Sequence, residues 1–107
     1  MTADPRNDPV LVRFRRALDA AYGDRLERVV LYGSRARGDH RPDSDYDVAA
    51  FIRDMGTLWS ELGTLSEITT DLLVEADADI SAMPFPAGSY RQSSLFMREM
   101  SRDGRDL

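Results

Sequence analysis

The chain has 107 residues and a formal net charge of −5 at pH 7. This length predicts one domain, and the acidic balance argues against a general nucleic-acid-binding protein, which normally presents a basic face. Cysteine is absent, so disulfides, thiolate metal sites and thiol nucleophiles are excluded. No apolar run approaches the roughly 18 residues of a membrane span, and the N-terminus lacks the apolar core of a secretion signal. We therefore expect a cytoplasmic protein with no membrane partner.

The N-terminal part of the chain predicts one helix and one strand. Residues 1–8 are polar and are expected to form a flexible tail before a single domain over 9–107. Asp8 followed by Pro9 is typical of a helix start, because aspartate caps the first turn and proline suits the first helical position. Apolar residues then recur at helical spacing. Gly23 is a typical helix end, and the β-branched, apolar run over 28–32 predicts a strand.

The second strand is expected over 45–52, after a turn and a short helix start over 33–42. Side chains alternate across a strand, so Asp45 and Asp47 share one face while Tyr46 points to the other.

The second half of the chain predicts a helix, a strand and a closing helix. Thr57 is a candidate N-cap for a helix with leucines on one face, and Trp59 is expected to pack in the core or at its edge. A third strand is expected over 80–85, ended by its prolines. The closing helix is expected over 90–102, with the apolar side chains of Leu95, Phe96, Met97 and Met100 packed in the core or, as the alternative, forming a partner surface. This order predicts a small α/β domain in which helices pack on a β-sheet.

A Gly-Ser turn directly after the first strand has the chemistry of a phosphate site. Gly33 allows the backbone to turn sharply and to approach a phosphate closely. Amides at the start of a following helix bind anions well, and the Ser34 hydroxyl can donate to a phosphate oxygen. Arg35 or Arg37 can add a charge-assisted contact. Gly33 to Gly38 has the glycine spacing of a P-loop, but that motif continues with a Lys and a Ser or Thr. This chain has Asp39 and His40 at those two positions, so a P-loop is excluded.

Two aspartates at the start of the second strand have the chemistry of a metal site. Asp45 and Asp47 are two residues apart, so both carboxylates point to one face. Two like charges this close resist ionisation, and a bound cation removes the conflict. Mg²⁺ prefers carboxylate and phosphate oxygens, and two such ions serve many enzymes that transfer phosphoryl or nucleotidyl groups.

The spacing of these two features resembles a known family. Gly33-Ser34, ten intervening residues and then Asp45-Tyr46-Asp47 are similar to the signature of the DNA polymerase β-like nucleotidyltransferase superfamily. The fuller run Gly-Ser-Arg-Ala-Arg-Gly-Asp, followed by Asp-Ser-Asp-Tyr-Asp-Val, resembles its minimal branch, often called MNT. That branch includes many antitoxins of toxin–antitoxin pairs. The resemblance covers residues 29–52.

The resemblance implies a nucleotidyltransferase core with a mixed β-sheet, ATP as the nucleotide donor and Mg²⁺, in two ions, as the cofactor. By position, Asp45 and Asp47 would be metal ligands and catalytic residues, with Gly33 and Ser34 on the triphosphate. Antitoxins of this branch transfer AMP to an RNase toxin of the HEPN type, so the implied partner is such a toxin.

The family usually has a third carboxylate on a neighbouring strand, which helps to activate the attacking hydroxyl and to bind metal. Asp79 is the candidate here, with Asp77 and Asp71 as rivals. The larger enzymes of the superfamily carry an acceptor-binding domain, so in this chain the acceptor site is expected from an assembled partner or from the substrate protein. Two alternatives stay open, a module that neutralises its partner by sequestration and a small-molecule nucleotidyltransferase of the antibiotic-modifying type.

Overall fold

The structure is a computed structural model that describes residues 4–39, 41 and 44–107. Its helices are α1 (Pro9–Tyr22), α2 (Ser34–Arg37), α3 (Leu58–Ala76) and α4 (Leu95–Asp103), and its strands are β1 (Leu26–Tyr32), β2 (Tyr46–Ile52), β3 (Ile80–Pro86) and β4 (Arg105–Asp106). Short 3₁₀ turns lie at Pro5–Asn7, Gly23–Arg25 and Ser89–Arg91. Residues 1–3 of the predicted tail, residues 40 and 42 of the predicted turn, and residue 43, which opens the run Asp-Ser-Asp-Tyr-Asp-Val, lie outside the described residues.

The strands form one mixed sheet in the order β3-β2-β1-β4. β1 pairs antiparallel with both β2 and β4, and β2 pairs parallel with β3. β3 lies at the edge, where the missing amide hydrogens of Pro84 and Pro86 are tolerated, so the strand continues through the first proline instead of ending there. The expected fold class, a small mixed sheet flanked by helices, is confirmed.

Both long helices begin where the sequence predicts. The Asp8 carboxylate accepts from the Val10 amide at 2.9 Å, and Gly23 ends α1 with a φ of 56°. The Thr57 hydroxyl oxygen accepts from the Ser60 amide at 3.1 Å and caps α3. These side chains satisfy amides that have no partner inside the helix, so the start points are set locally.

The two faces of the sheet are covered unequally. Helices α1 and α3 pack together on one face, where Phe14, Leu18 and Leu65 meet Val48 and Ile52 of β2. The other face carries a smaller cluster in which Met97 and Met100 of α4 pack with Val30, Ala49 and Phe51, and Tyr90 of the third 3₁₀ turn packs against Phe51. Consequently β2 is buried on both sides over most of its length, whereas the second face is covered only in part.

Several sequence predictions about exposure are wrong. Trp59 is 84 % exposed, Leu95 is 73 % exposed and Phe96 is 37 % exposed, so these side chains are not part of the buried core. The charged residue Glu61 of α3 is buried instead, and it accepts from Arg25 Nη2 at 3.1 Å. Periodicity identifies a helix, but it does not tell how far the neighbouring helix extends along its buried face.

The ends of the chain also differ from the prediction. Within the segment predicted as a flexible tail, residues 5–7 form a 3₁₀ turn capped by Asp4, and the flexibility of residues 1–8 stays a prediction. The closing helix begins only at Leu95, because the Ser94 hydroxyl caps it by accepting from the Met97 amide. The two residues of β4 were not predicted, since so short a strand exists only through its pairing with Val30 and Leu31. Within the described residues, no helix has the length and apolar character needed to cross a bilayer.

We expect Phe14→Ala and Trp59→Ala to have very different effects on the free energy of unfolding. Phe14 is fully buried, so its truncation should cost about 3–5 kcal/mol, while truncation of exposed Trp59 should stay within about 0.5 kcal/mol. Urea unfolding followed by circular dichroism measures both variants, because Trp59 is the single tryptophan and its removal abolishes the tryptophan fluorescence. Similar losses of unfolding free energy in the two variants would contradict the assignment of Phe14 as buried and Trp59 as exposed.

Candidate active site

The β1–β2 register brings the Gly-Ser turn against one of the two aspartates. Tyr32 and Asp47 are paired across the antiparallel ladder, and Gly33 follows Tyr32 directly. Gly33 has a φ of +76°, and a Cβ built on it would lie 2.6 Å from Asp47 Oδ2. Only glycine therefore suits this position, both for its backbone conformation and because the carboxylate occupies the space of a side chain. The turn and the carboxylate form one site.

Asp47 is held in an environment that disfavours its charge. Burial raises the pKa of Asp47 above its ordinary value, and the nearby charge of Asp45 raises it further. Across the ladder, burial and then the charge of Asp47 raise the pKa of the Tyr32 phenol. Asp45 itself is exposed at the start of β2. The two neighbouring carboxylates of Asp45 and Asp47 form a local excess of negative charge that a cation would neutralise.

The carboxylates of Asp45 and Asp47 fit a divalent cation. Asp45 and Asp47 supply the carboxylate oxygens that Mg²⁺ prefers, and the raised pKa of Asp47 is the electrostatic cost that a bound cation would relieve. In the part of the chain that the structure describes, no three His, Asp or Glu side chains form a group able to hold a metal ion. Asp79 is thus not gathered with the other two carboxylates, and its role as a third ligand stays a prediction.

The Ser34 backbone is ordered by the turn that follows it. The amides of Ala36 and Arg37 both donate to the Gly33 carbonyl at 3.1 Å, and the Gly38 amide donates to the Ser34 carbonyl at 2.9 Å. Gly38 adopts the left-handed conformation that ends α2. The half-buried Ser34 therefore sits in a short, fixed helical turn, next to the backbone of Gly33.

The two arginines of α2 point to different surroundings. Arg35 Nε donates to the Ser44 carbonyl at 2.8 Å, and its guanidinium lies 3.9 Å from the centre of the Tyr46 ring. Ser44 and Tyr46 are the chain neighbours of Asp45, so Arg35 connects α2 to the segment that carries this carboxylate. Arg37 instead pairs with exposed Asp39 at 3.3 Å and lines a cavity beside Gly33.

The three candidates for the third carboxylate lie in different places. The Asp79 carbonyl accepts from the Tyr46 amide at 3.0 Å, which places Asp79 beside the start of β2. Asp77 caps α3 in the left-handed conformation and lines, with Asp79, an open cleft of about 500 Å³. Asp71 lies on the exposed surface of α3 and lines a separate cleft. Of the three, Asp79 is adjacent in the sheet to the Asp45 segment.

Comparison with known proteins identifies the family. Residues 20–98 match the family described as polymerase beta, nucleotidyltransferase. Because the match covers most of the chain, the chain belongs to this family of nucleotidyltransferases. The resemblance inferred from the Gly-Ser turn and the paired aspartates is confirmed.

A curated relative and solved structures are consistent with this assignment. MJ0141 of Methanocaldococcus jannaschii, which bears the provisional name protein adenylyltransferase, is 39% identical over 49 residues, or 46% of this chain and 50% of MJ0141. The chain thus matches about half the length of that relative.

A chain from a toxin–antitoxin crystal structure with AMP-PNP matches with a TM-score of 0.61 and 19% identity, over 94% of this chain and 71% of that one. A chain from the complex of a tri-AMPylated Shewanella oneidensis HEPN toxin with its MNT antitoxin matches with a TM-score of 0.53 and 15% identity, over 91% of this chain and 70% of that one. At these identities, the likeness shows the fold.

We expect Gly33→Ala to destabilise the protein more than Gly23→Ala. Both glycines have a positive φ, so each substitution carries backbone strain of about 1–3 kcal/mol. Only the new methyl group at position 33 meets another group, Asp47 Oδ2, which should add about 1 kcal/mol or more. Urea unfolding of both variants measures the difference.

The same pair of substitutions in an Asp47→Ala background completes a double-mutant cycle. Removal of the carboxylate should abolish the additional cost at position 33 and leave the cost at position 23 unchanged. If the additional cost persists without the carboxylate, the close contact between Gly33 and Asp47 is not its cause.

Proposed function

We propose that this chain is a Mg²⁺-dependent nucleotidyltransferase that transfers AMP from ATP to a hydroxyl group of a protein, and that the acceptor is a toxin of the HEPN type. The observation that carries the proposal is the contact between the Gly33 turn and Asp47. It puts a backbone suited to phosphate directly beside a pair of carboxylates suited to a metal ion. Nucleotidyl transfer needs these two features at one place.

The roles follow from the positions of the side chains. Asp45 and Asp47 would hold Mg²⁺, which when bound neutralises phosphate charge and polarises the α-phosphate. The glycine at position 33 lets the turn pack directly against Asp47, which brings the phosphate-binding backbone next to the metal-binding carboxylate, and the Ser34 hydroxyl donates to a phosphate oxygen. Arg37 adds a positive charge at the cavity beside Gly33. Arg35 keeps Asp45 in place through Ser44 and Tyr46.

The reaction is a substitution at phosphorus. The acceptor oxygen forms a bond to the α-phosphorus, and the bond from that phosphorus to the oxygen bridging the α- and β-phosphates breaks. Pyrophosphate leaves with that bond's electron pair. Asp79, whose backbone lies beside the start of β2, accepts the proton of the acceptor hydroxyl as the general base.

A protein acceptor is supported by the relatives and by the surface of this chain. MJ0141 bears the name protein adenylyltransferase, and the Shewanella oneidensis complex holds an AMPylated HEPN toxin with an MNT antitoxin. In this chain α4 covers only part of the sheet face that carries Asp47, and apolar Met83 and Leu95 are exposed. A large partner has room to approach that face.

We expect the double variant Asp45→Asn with Asp47→Asn to lose AMP transfer while it keeps its fold. The assay uses the purified protein, Mg²⁺, a co-expressed HEPN-type toxin and ATP labelled at the α- or the γ-phosphate. Transfer of α-label to the toxin by the wild type, and its loss in the double variant, is the expected result. Burial and then the charge of Asp45 raise the pKa of Asp47, and a neutral amide at both positions removes the buried charge and the repulsion, so the variant should be at least as stable as the wild type.

Other outcomes of this assay would overturn the proposal. Transfer of γ-label would indicate a kinase. Transfer of α-label that persists in the double variant would remove Asp45 and Asp47 from the chemistry. Tight binding of the toxin without transfer of either label would instead indicate neutralisation by sequestration.

Among the three candidate bases, we expect only Asp79→Asn to slow the reaction, by a factor of about 10²–10⁴ at unchanged KM for ATP. The matched controls are Asp77→Asn, on the same cleft, and Asp71→Asn, on the surface of α3. Each should retain transfer within about twofold of the wild type. A loss specific to either control would move the base to that residue.

A further inference from the structure

We propose that the cavity beside Gly33 is the subsite for the purine base of the donor nucleotide, with Phe96 as the stacking platform. This inference rests on the proposed function, because it assigns the base of the nucleotide whose phosphates lie at the Gly33 turn. The cavity has a volume of about 210 Å³. It is lined by Tyr32, Gly33, Arg37, Phe96, Glu99, Met100, Arg102 and Asp103.

The cavity is continuous with the candidate active site. Gly33 belongs to both, and Tyr32, on the cavity wall, is paired with Asp47 in the β1–β2 ladder. Paired residues of a ladder share a face of the sheet, so the cavity and the Asp47 carboxylate lie on the same face. A group attached to phosphates at Gly33 therefore reaches this cavity without crossing the sheet.

An aromatic side chain on the cavity wall is fixed in position while part of its surface stays open. The Phe96 ring stacks on Phe85 at 5.6 Å between centroids, and Tyr32 meets it edge-on at 5.3 Å. Phe96 nevertheless stays 37 % exposed, whereas Met97 and Met100 of the same helix are buried. A ring that is held on one side and open on another is the arrangement on which a base stacks.

The rest of the lining suits a base more than a purely apolar group. Met100 provides an apolar surface, and the Glu99 carboxylate can accept a hydrogen bond from an amino group of a base. Arg102 pairs with Asp103 at 3.1 Å, so this pair offers both a donor and an acceptor at the cavity rim. The volume is below the roughly 300–1,000 Å³ of cavities for drug-sized ligands, which fits one ring system and not a whole nucleotide.

The test compares two ligands that share the phosphates and differ in the base. Isothermal titration with Mg²⁺ present measures binding of AMP-PNP and of inorganic tripolyphosphate to the wild type and to Phe96→Ala. We expect AMP-PNP to bind about tenfold more weakly to the variant, because stacking is lost, and tripolyphosphate to bind equally to both. Leu95→Ala is the matched control, since Leu95 is a neighbouring exposed apolar residue of α4 that does not line the cavity.

Two further measurements separate stacking from a loss of structure. Phe96→Leu keeps an apolar side chain on Phe85 but has no ring, and should behave like Phe96→Ala, while Phe96→Trp should keep the affinity for AMP-PNP. The fluorescence of 2-aminopurine riboside triphosphate should be quenched by the wild type and by Phe96→Trp only. Circular dichroism monitors folding of each variant.

Each remaining outcome has a definite meaning. Equal binding of AMP-PNP to the wild type and Phe96→Ala would overturn the subsite and leave the proposed function standing. Parallel loss of both ligands in Phe96→Leu would assign Phe96 a structural role and also overturn the subsite. Absence of AMP-PNP binding to the wild type would overturn the subsite and the proposed function together.

Discussion

The close approach of the Asp47 carboxylate to the Gly33 backbone is the constraint on which the rest of the site depends. It exists because β1 and β2 pair with Tyr32 opposite Asp47. A register slip of one residue would turn Asp47 toward the opposite face of the sheet, where α1 and α3 pack. Burial of both faces of β2 prevents that slip, since the slip would exchange Val48 and Ala49 between two different cores. The packing of β2 therefore fixes the position of the Asp47 carboxylate relative to the Gly33 backbone.

The unequal covering of the sheet explains where the site lies. Helices α1 and α3 cover one face, and their aromatic and aliphatic side chains supply a large part of the core. The smaller cluster under α4 leaves the Asp47 end of the other face accessible, so carboxylates can be tolerated there without full desolvation. The raised pKa of Asp47 is the residual cost of this partial burial. A fully covered second face would bury Asp47 further and increase this cost.

Local signals in the sequence predict the helix caps, the strands β1 and β2 and the paired carboxylates, because each of these features depends on a few neighbouring residues. Asp8, Thr57 and Gly23 act within one helical turn, and alternation alone assigns Asp45 and Asp47 to one face. Features that depend on distant partners are not accessible in this way. The exposure of Trp59, the burial of Glu61 and the openness of Phe96 depend on which helix lies opposite. The strand β4 depends wholly on its pairing with β1.

The two arginines of the short helix α2 contact different parts of the protein. On a helix, residues two apart do not face each other, so Arg35 and Arg37 must project in different directions from α2. Arg35 projects toward Ser44 and Tyr46, and the Tyr46 hydroxyl in turn donates to the Asp8 carboxylate that caps α1. A chain of contacts thus runs from the main helix to the residues on both sides of Asp45. Arg37 lines the cavity beside Gly33 and pairs with Asp39 at 3.3 Å. In the sequence the two arginines are equivalent candidates for the nucleotide, whereas in the fold Arg35 contacts the segment around Asp45 and Arg37 lies beside Gly33.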